Sequence, residues 1–458
     1  MAEFENYLSP GRKGHLIGIG GVSMSSLAEV LAGMGLVITG SDMNEGANVE
    51  SLRRKGIPVL IGHRAENITD DVEFVVRTAA VHDDNPEIAA AHEKGIPVFE
   101  RTQAWGAISR DYANALCICG THGKTTTTSM CTHIMMAADK DPTVMIGGTL
   151  PLLKAGHRVG HGNTIIMEAC EYYNSFLSFY PTVAVILNVE ADHLDFFKDL
   201  DDVKRSFHKF AQRVPEDGYV VANLDDPNTM DVVKDIKGRI ITFGLNKDAD
   251  VTAVNIEFLG ANSHFEILYK GRLFTDVTLH VPGIHNVKNA LAATAACISL
   301  GVRPNAVKYG LAGFNGAGRR FEFKGKYNGA DVYDDYAHHP GELKVLLDAV
   351  EQLNYKRTVL VFQPHTYSRT AALFGDFVEQ LKRPDVVFLA EIFAAREKNT
   401  IGISSADLAK EVDGSIFCPT FDVIEDSLRA IAHPGDIVLT VGAGDVYKIG
   451  EMLVEEKK

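Results

Sequence analysis

Residues 120–128, GTHGKTTTT, have the residue types and the spacing of a loop that binds phosphate. The common phosphate loop reads G-x-x-x-x-G-K-[ST], and its backbone N–H groups, lysine and hydroxyl hold a nucleotide's phosphates and a metal ion. Gly123, Lys124 and Thr125 fit this pattern, whereas Ile118 stands where the first glycine is expected. The stretch therefore predicts a shortened nucleotide site, with Mg²⁺ on the Thr125 hydroxyl. The alternative is a glycine turn followed by a surface lysine.

Acidic residues follow two later apolar runs and are candidate partners for the magnesium ion. Glu168 closes the run NTIIMEA, and Glu190, Asp192, His193 and Asp195 follow the run TVAVILNV. Catalytic groups gather at the carboxyl ends of strands in open α/β sheets, so these residues could meet the loop. Mg²⁺ prefers oxygen ligands, which makes His193 a weaker candidate than the carboxylates on chemistry alone. The spacing leaves the choice among them open.

A second glycine-rich stretch, GIGGVSMSSLAEV, contains Gly18, Gly20 and Gly21 after the first apolar run. It resembles a dinucleotide fingerprint, but Ser23 stands where the third glycine belongs, and Asp42 ends the second run. Because a helix N-terminus favours anions, the stretch predicts a site for a pyrophosphate or a similar group. The alternative is a tight turn between a strand and a helix that binds nothing.

The apolar runs that must position these residues alternate with helical patterns along the chain. They are short, rich in Val and Ile, and apolar on both faces, as buried parallel strands are. Segments between them, such as SMSSLAEVLAGMG, carry apolar residues at helical spacing. The pattern predicts an α/β fold with several sheets. The runs are HLIGIG, LVITGSD, VEFVVRT, ALCICG, NTIIMEA, TVAVILNV, GYVVAN, TVLVFQP, DVVFLAE and DIVLTVGAG.

A chain of 458 residues is too long for one hydrophobic core and predicts several domains. Composition changes near residues 108–114, and Gly313, Gly316 and Gly318 crowd the stretch GFNGAGRRFEF. Such glycine density suits a hinge or a linker. We therefore expect domains at 1–110, 111–318 and 319–458, with closure on the second boundary when substrates bind.

Charge and cysteine content narrow the class of protein. The formal net charge of −15 argues against nucleic acid or an anionic membrane as the main partner. The chain has no run of apolar residues long enough to span a bilayer, and its first residues do not resemble a secretion signal. The 6 cysteines show neither a disulfide framework nor a C-x-x-C pair. These features predict a cytoplasmic protein with reduced thiols.

Several motif blocks together resemble the Mur ligases, the ATP-dependent ligases of peptidoglycan precursor synthesis. The blocks are GTHGKTTTT, NVEADHLD, GIHNVKNALAA, GAGRRFE and DDYAHHPGE, in the family's order, within a match from about residue 14 to residue 448. The resemblance accounts for the missing first glycine, because the family's phosphate loop is shortened in this way. It implies three α/β domains: a Rossmann-like N-terminal domain for a UDP-sugar, a central P-loop ATPase domain with a mainly parallel sheet, and a C-terminal Rossmann-like domain for the amino acid.

The resemblance also implies roles for individual residues. It assigns catalysis to Lys124, His122, Glu168 and His193, and the magnesium ion to Thr125, Glu168 and His193. It assigns ATP to Gly120, Thr121, Gly123, Lys124, Thr125, Thr126, Asn286, Asn289, Arg320 and Asp335. It assigns the UDP-sugar to Gly18, Gly20, Gly21, Asp42, His63 and His122, and the amino acid to His365 and Arg369.

Two details of the C-terminal blocks qualify the amino-acid contacts. Thr366 directly follows His365, where many family members of this type carry arginine. The adjacent histidines His338 and His339 do not predict a shared metal ion, because neighbouring residues on an extended strand face opposite ways. One of them is expected near the phosphates and the other in packing.

Further blocks resemble the family member that joins L-alanine to the carboxylate of UDP-N-acetylmuramate. These blocks are HLIGIGGVSMSSLA, EACEYYNSF, FQPHTYSRT and AREKNTIGISS. The implied reaction proceeds through an acyl phosphate and releases ADP and phosphate. The implied partners are these two substrates, with no nucleic acid and no membrane, and the chain is expected to be a monomer or a weak dimer.

Three alternatives remain open from the sequence. A recycling ligase of the same family would add a tripeptide to the same sugar nucleotide. A nicotinamide-dependent dehydrogenase would use the stretch GIGGVS but leave the phosphate loop without a function. A non-catalytic nucleotide switch is disfavoured by the acidic residues expected around that loop.

Overall fold

The structure is a computed structural model that describes residues 3–78, 81–194, 196–395 and 397–455. Helices and strands alternate along it, and most neighbouring strands are parallel, which confirms the predicted α/β class. By its internal packing the chain forms two compact units. The first unit comprises Met1–Val254, Glu266–Val277 and Lys288–Gly313, and the second comprises Asn255–Phe265, Thr278–Val287 and Phe314–Lys458. The domain boundaries expected from the sequence stay a prediction.

The first sheet has 5 parallel strands in the order β3-β2-β1-β4-β5. Both of its faces are buried, because Leu16 and Val76 pack in one apolar cluster while Ile17 and Val75 pack in another. Continuous apolar runs are therefore required here. The strands are β1 (Lys13–Ile17), β2 (Val37–Asp42), β3 (Val59–Ile61), β4 (Phe74–Arg77) and β5 (Val98–Glu100), and the helices are α1 (Val22–Gly33), α2 (Ala47–Arg54), α3 (Pro86–Glu93) and α4 (Arg101–Arg110).

The second sheet has 10 strands in the order β15-β14-β13-β12-β11-β10-β6-β9-β7-β8. Strands β7 and β8 pair antiparallel, and β6 pairs parallel with both β9 and β10. The strands are β6 (Asn114–Cys119), β7 (Thr143–Leu150), β8 (Ala155–Arg158), β9 (Thr164–Glu168), β10 (Val183–Ile186), β11 (Tyr219–Asn223), β12 (Arg239–Phe243), β13 (Val251–Leu259), β14 (Asn262–Tyr269) and β15 (Arg272–Leu279). The accompanying helices are α5 (Lys124–Ala137), α6 (Leu200–Ala211), α7 (Pro227–Val232), α8 (Ile284–Ser299) and α9 (Pro304–Ala312).

The third sheet has 6 strands in the order β16-β17-β21-β18-β19-β20, and only its edge strand β16 pairs antiparallel. The strands are β16 (Glu322–Tyr327), β17 (Ala330–Asp335), β18 (Arg357–Phe362), β19 (Val386–Leu389), β20 (Ile416–Phe417) and β21 (Asp436–Val441). The helices are α10 (Pro340–Glu351), α11 (Tyr367–Ala372), α12 (Phe374–Leu381), α13 (Ser405–Glu411), α14 (Phe421–Ile431) and α15 (Tyr447–Val454). Short 3₁₀ segments occur at Phe4–Tyr7, Ala65–Asn67 and Tyr172–Ser178.

Strands β13, β14 and β15 were not among the runs predicted from the sequence. Buried and accessible side chains alternate in β14 and along most of β15, and β13 is buried only at its start, so no continuous apolar run marks them. Two-residue turns containing Gly260 and Gly271, both at positive φ, connect them. No helix among the residues that the structure describes is both long and apolar enough to span a lipid bilayer.

Candidate active site

The loop between β6 and α5 has the strand, turn and helix arrangement that a phosphate loop needs. Gly120 and Gly123 both have positive φ, +142° and +85°. A Cβ atom on Gly120 would lie 2.8 Å from Leu187 Cβ, and one on Gly123 would lie 2.6 Å from Asn289 Oδ1. Both glycines are therefore required by backbone conformation and by their close neighbours. The predicted residue Asn289 lies directly against the loop.

The segment after β10 holds the loop in shape. The Asn188 side chain accepts a hydrogen bond from the His122 N–H at 2.8 Å and donates one to the His122 carbonyl at 3.1 Å. The Thr121 hydroxyl accepts a hydrogen bond from the Glu190 N–H at 2.9 Å. The ring of His122 lies near the Glu190 carboxylate, with Nε2 3.5 Å from Oε2. Asn188 was not among the predicted residues, although it belongs to the same stretch as Glu190.

The ammonium group of Lys124 lies inside the loop. Its Nζ donates to the carbonyl of Gly120 at 2.6 Å and to the carboxylate of Glu171 at 3.1 Å. Burial lowers the pKa of Lys124, but the carboxylates of Glu171 and Glu168 outweigh burial, so the pKa lies above its ordinary value. The lysine is therefore a cation held at the place where phosphate oxygens are expected.

Glu171 is a buried acid that the sequence analysis did not select. Its carboxylate is almost completely buried and contacts Lys124 on one side. On the other side Oε1 lies 3.8 Å from His193 Nε2. The only sequence signal was its place in the block EACEYYNSF, three residues after the predicted ligand Glu168.

Two of the three predicted magnesium ligands are in direct contact. The Thr125 hydroxyl donates a hydrogen bond to Glu168 Oε1 at 3.0 Å, and Glu168 Oε2 accepts one from the Gly147 N–H at 2.8 Å. Thr126 is the next residue of α5 and is half-buried. A hydroxyl and a carboxylate side by side are the kind of oxygen donors that Mg²⁺ binds.

The third predicted ligand, His193, faces Glu171. Its backbone has a φ of +54°, and its ring stacks on Tyr172 with the ring centres 4.3 Å apart. Its Nε2 is 3.8 Å from Asp192 Oδ2. Among the described residues no three His, Cys, Asp or Glu side chains gather as a metal site, and the candidate Asp195 lies outside those residues.

The start of α8 carries the second predicted asparagine. Asn286 is buried, and its Nδ2 donates a hydrogen bond to the Pro282 carbonyl at 2.7 Å. Between the two asparagines, Lys288 lies 3.1 Å from the Asp225 carboxylate. Asn286 therefore stabilises the entry into the helix, while Asn289 contacts the loop.

The glycine-rich loop after β1 is closed by Asp42. Gly18 has a φ of +77°, and the Gly20 N–H donates a hydrogen bond to Asp42 Oδ2 at 2.9 Å. Gly21 directly precedes α1. His63 follows β3, and its Nδ1 lies 3.1 Å from Glu87 Oε2. Because the sheet order is β3-β2-β1, the ends of these strands place the loop, Asp42 and His63 in a row along one edge.

In the second unit, two adjacent arginines have different surroundings. Arg319 donates to Asp334 at 2.9 Å and to the carbonyls of Gly444 and Gly442 at 2.8 Å and 2.6 Å. The guanidinium of Arg320, the predicted ATP contact, lies 5.1 Å from the centre of the Tyr336 ring. Arg319 is thus a structural residue by its contacts.

Asp335 is the other predicted ATP contact of the second unit. Its carboxylate accepts hydrogen bonds from the N–H groups of Phe321 and Ala337, each at 2.8 Å. Burial raises the pKa of Asp335 to about 6, although Arg320 and the two N–H donors act in the opposite direction. The side chain therefore fixes the turn that carries Arg320.

The two residues predicted for the amino acid are in contact. Arg369 donates to the His365 carbonyl at 3.1 Å, and the His365 ring lies parallel to Phe393 with the centres 5.8 Å apart. Burial lowers the pKa of His365 to about 4, so its ring is neutral near pH 7. The Thr366 hydroxyl donates to Glu397 at 2.6 Å. The Arg369 guanidinium therefore contacts His365, and the Glu397 carboxylate contacts the next residue, Thr366.

The adjacent histidines have different surroundings, and the expected place of one of them near the phosphates stays a prediction. The ring of His338 meets His365 edge-on, with the centres 5.6 Å apart. His339 is the residue before α10, and its Nδ1 accepts a hydrogen bond from the Gly341 N–H at 3.2 Å. His339 thus caps a helix.

Comparison with known proteins gives matches along almost the whole chain. Residues 13–113 match the family model described as Mur ligase family, catalytic domain. Residues 118–297 match the Mur ligase middle domain, and residues 319–444 match the Mur ligase, glutamate ligase domain. A UDP-N-acetylmuramate–L-alanine ligase of Acetivibrio thermocellus is 47% identical over 450 residues, which cover 97% of this chain and 96% of that protein.

Solved structures show the same three-domain fold. The crystal structure of the UDP-N-acetylmuramate–alanine ligase MurC from Thermotoga maritima matches with a TM-score of 0.81 and 30% identity, covering 96% of this chain and 98% of that one. A murein peptide ligase from Psychrobacter arcticus matches with a TM-score of 0.72 and 23% identity over 97% and 98% of the two chains. At that identity the second match shows the fold alone.

Proposed function

The chain belongs to the Mur ligase family, and we propose that it joins L-alanine to the carboxylate of UDP-N-acetylmuramate at the expense of ATP. The observation that carries the proposal is the loop in which Lys124 lies between Gly120 and Glu171 while Thr125 contacts Glu168. This arrangement supplies a cation and oxygen donors at a glycine turn, as phosphoryl transfer requires. The relatives that bear the same activity in their names are similar over nearly their full length.

We propose Thr125, Glu168 and His193 as the ligands of a magnesium ion. The hydroxyl of Thr125 and the carboxylate of Glu168 are already within 3.0 Å of each other, which suits a hard cation. When bound, the ion would neutralise phosphate charge. Glu171 would orient His193 and balance the charge of Lys124.

The proposed reaction has two chemical steps. A carboxylate oxygen of the sugar nucleotide attacks the γ-phosphorus of ATP, the bond from this phosphorus to the β–γ bridging oxygen breaks, and ADP leaves. The neutral amine of L-alanine then attacks the carbonyl carbon of the resulting acyl phosphate and forms the C–N bond. Phosphate leaves with the electrons of the C–O bond, and the nitrogen gives one proton to water. The protein's part is to position the groups and to stabilise charge, so the loop N–H groups and Lys124 would hold the phosphates. His122 would lie beside the carboxylate of the sugar nucleotide.

The remaining predicted residues take roles that follow from their chemistry. We propose the loop of Gly18, Gly20 and Gly21, with Asp42 and His63, as the UDP-sugar site. We propose Thr121, Thr126, Asn286, Asn289, Arg320 and Asp335 as further ATP contacts. The guanidinium of Arg369 would bind the carboxylate of the amino acid, beside the neutral ring of His365.

We also propose a cytoplasmic location and a monomeric or weakly dimeric chain. All six cysteines are free thiols, and most are buried, as suits a reducing compartment.

Measurement of phosphate release decides the substrate assignment. With ATP, Mg²⁺ and UDP-N-acetylmuramate, we expect release to depend on L-alanine and to be much slower with the tripeptide of the recycling reaction. Glycine and L-serine in the same panel define the amino-acid preference. Release that is independent of any amino acid, or that requires the tripeptide, would contradict the proposal.

A Gly123→Ala variant is expected to bind ATP about tenfold more weakly or worse. An alanine at positive φ costs about 1–2 kcal/mol, and its Cβ would also meet Asn289 Oδ1 at 2.6 Å. Gly148→Ala is the matched control, because a Cβ there lies 3.5 Å from Thr125 Cγ2, an ordinary contact. Titration of both variants with ATP tests the loop, and equal affinities would argue against it.

A further inference from the structure

A buried polar cluster lies beside the first sheet, and of its members only His63 has a role in the function proposed above. Its centre is Glu87, in the first turn of α3, whose side chain is completely buried. The Ser41 hydroxyl donates to Glu87 Oε2 at 2.6 Å, and the Asn67 amide donates to Oε1. His63 Nδ1 lies 3.1 Å from Oε2, and the buried His15 Nε2 lies 3.8 Å from Oε1.

The carboxylate of Glu87 is held in its ionised form. Burial alone raises the pKa of Glu87, but contacts with His15, Ser41 and Asn67 outweigh it and lower the pKa to about 2. Burying a charge is costly even when it is paired, and an apolar side chain would fill the same space without that cost. Packing alone therefore does not explain why an ionised carboxylate is buried at position 87.

The ionised carboxylate determines which nitrogen of His63 carries the proton. A carboxylate only accepts hydrogen bonds, so Nδ1 of His63 must be the donor to Glu87. The Ser41 hydroxyl, 3.1 Å from the same Nδ1, has already given its hydrogen to Glu87 and can also only accept. In the neutral ring Nε2 is then an acceptor, and it makes no hydrogen bond with the residues that the structure describes.

The position of His63 suits the far end of a nucleotide. The glycine loop follows β1, and His63 follows β3, two strands away on the same edge of the sheet. Two strand spacings amount to roughly 10 Å. A ligand whose pyrophosphate lies at the start of α1 and which extends along this edge would bring its base to His63. The ring is accessible there, with 12% of its side chain exposed.

We propose that Glu87 is a specificity-determining positioning residue that makes His63 Nε2 a hydrogen-bond acceptor for the N3–H of a uracil base. This inference rests on the proposed UDP-sugar site. Uracil carries a hydrogen on N3, whereas N3 of cytosine carries a lone pair, which would face the lone pair of Nε2. Glu87 thus selects uracil over cytosine without contacting the base.

The tautomer of His63 can be measured in the unmodified chain. Nitrogen-15 NMR of histidine-labelled protein near pH 8 is expected to show the hydrogen of His63 on Nδ1, with assignment by a His63→Gln variant. In Glu87→Gln, whose amide can donate as well as accept, a mixture of the two tautomers is expected. A hydrogen on Nε2 in the unmodified chain would overturn the proposal.

Binding of UDP and CDP tests the consequence for specificity. The unmodified chain is expected to bind UDP at least tenfold more tightly than CDP, and Glu87→Gln is expected to reduce this ratio severalfold while ATP affinity stays unchanged. Glu93→Gln, an exposed acid on the same helix, is the matched control and should keep the ratio. An unchanged ratio in Glu87→Gln overturns this inference but leaves the proposed function intact. Absence of phosphate release with UDP-N-acetylmuramate in the unmodified chain would instead contradict the proposed function.

Discussion

Replacing Lys124 with alanine is expected to lower the rate of ATP-dependent phosphate release by roughly 10²-fold to 10³-fold, the effect of removing one preorganised charge-stabilising group. The ammonium group is already fixed in the loop by Gly120 and Glu171, so it stabilises charge on the phosphates without reorganisation. UDP-sugar binding should be almost unchanged, because its proposed residues Gly18 and His63 follow strands of a different sheet and His122 is kept in the variant. Phosphate release and UDP-N-acetylmuramate titration measure the two effects separately.

Two further variants test whether the loss of activity is due to the charge of Lys124 in the loop and not to a loss of stability. Lys140→Ala removes an exposed lysine just beyond the other end of α5 and should leave both measurements unchanged. Because Lys124→Ala leaves the Glu171 carboxylate buried without its cation, some loss of stability is also expected. The double variant Lys124→Ala/Glu171→Gln should recover that stability but not the activity. If Lys124→Ala abolished UDP-sugar binding as strongly as phosphate release, the assignment of ATP to one glycine loop and of the UDP-sugar to the other would be wrong.

The sequence predicted those features in which a short stretch of residues is compatible with only one local structure. Gly123 and Lys124 could be recognised because a tight turn that aims N–H groups at an anion needs glycine at positive φ. The buried parallel strands could be recognised because both faces of the sheet around them are covered, so Val359–Phe362 of β18 and Ile437–Leu439 of β21 are continuous apolar runs. The α/β fold followed from these runs and the helices between them.

Other features depend on contacts between distant segments and could not be predicted. Glu168 and Glu171 stand in one block, and only the fold shows that one contacts Thr125 while the other contacts Lys124. Threonine has a low helix propensity, yet the Thr128 hydroxyl in α5 donates a hydrogen bond to the carbonyl four residues before it, at 2.8 Å. Glu87 was not selected either, because its partners come from separate strand ends.

Arg319 and Arg320 also could not be distinguished from the sequence, because they are neighbours of the same residue type. The structure gives Arg319 a structural role, and Arg320 is proposed to contact ATP. The charge of Arg319 compensates the carboxylate of Asp334, which is completely buried. Burial raises the pKa of Asp334, and Arg319 and Thr440 act against that rise. Arg320 also acts on a carboxylate whose pKa is raised by burial, that of Asp335, but two backbone N–H groups hold this carboxylate as well. Its guanidinium lies over the ring of Tyr336. Replacing each arginine in turn should therefore show which one contributes mainly to stability and which one mainly to activity.

Arg319→Met is expected to lower the free energy of unfolding by about 3–5 kcal/mol, because it leaves the Asp334 carboxylate buried without its cation. Arg320→Met should lower stability much less, because the N–H groups of Phe321 and Ala337 still hold the Asp335 carboxylate, while slowing ATP-dependent phosphate release. In Arg319→Met the pKa of Asp334 rises further above its unfolded value, so the folded state holds its proton more tightly and loses stability as pH rises. Hydrogen exchange of peptides from β17 and β21 should therefore show a larger deficit at pH 8 than at pH 5. Equal destabilisation by the two variants, or a deficit independent of pH, would contradict the assignment of Arg319 as the partner of a buried charge.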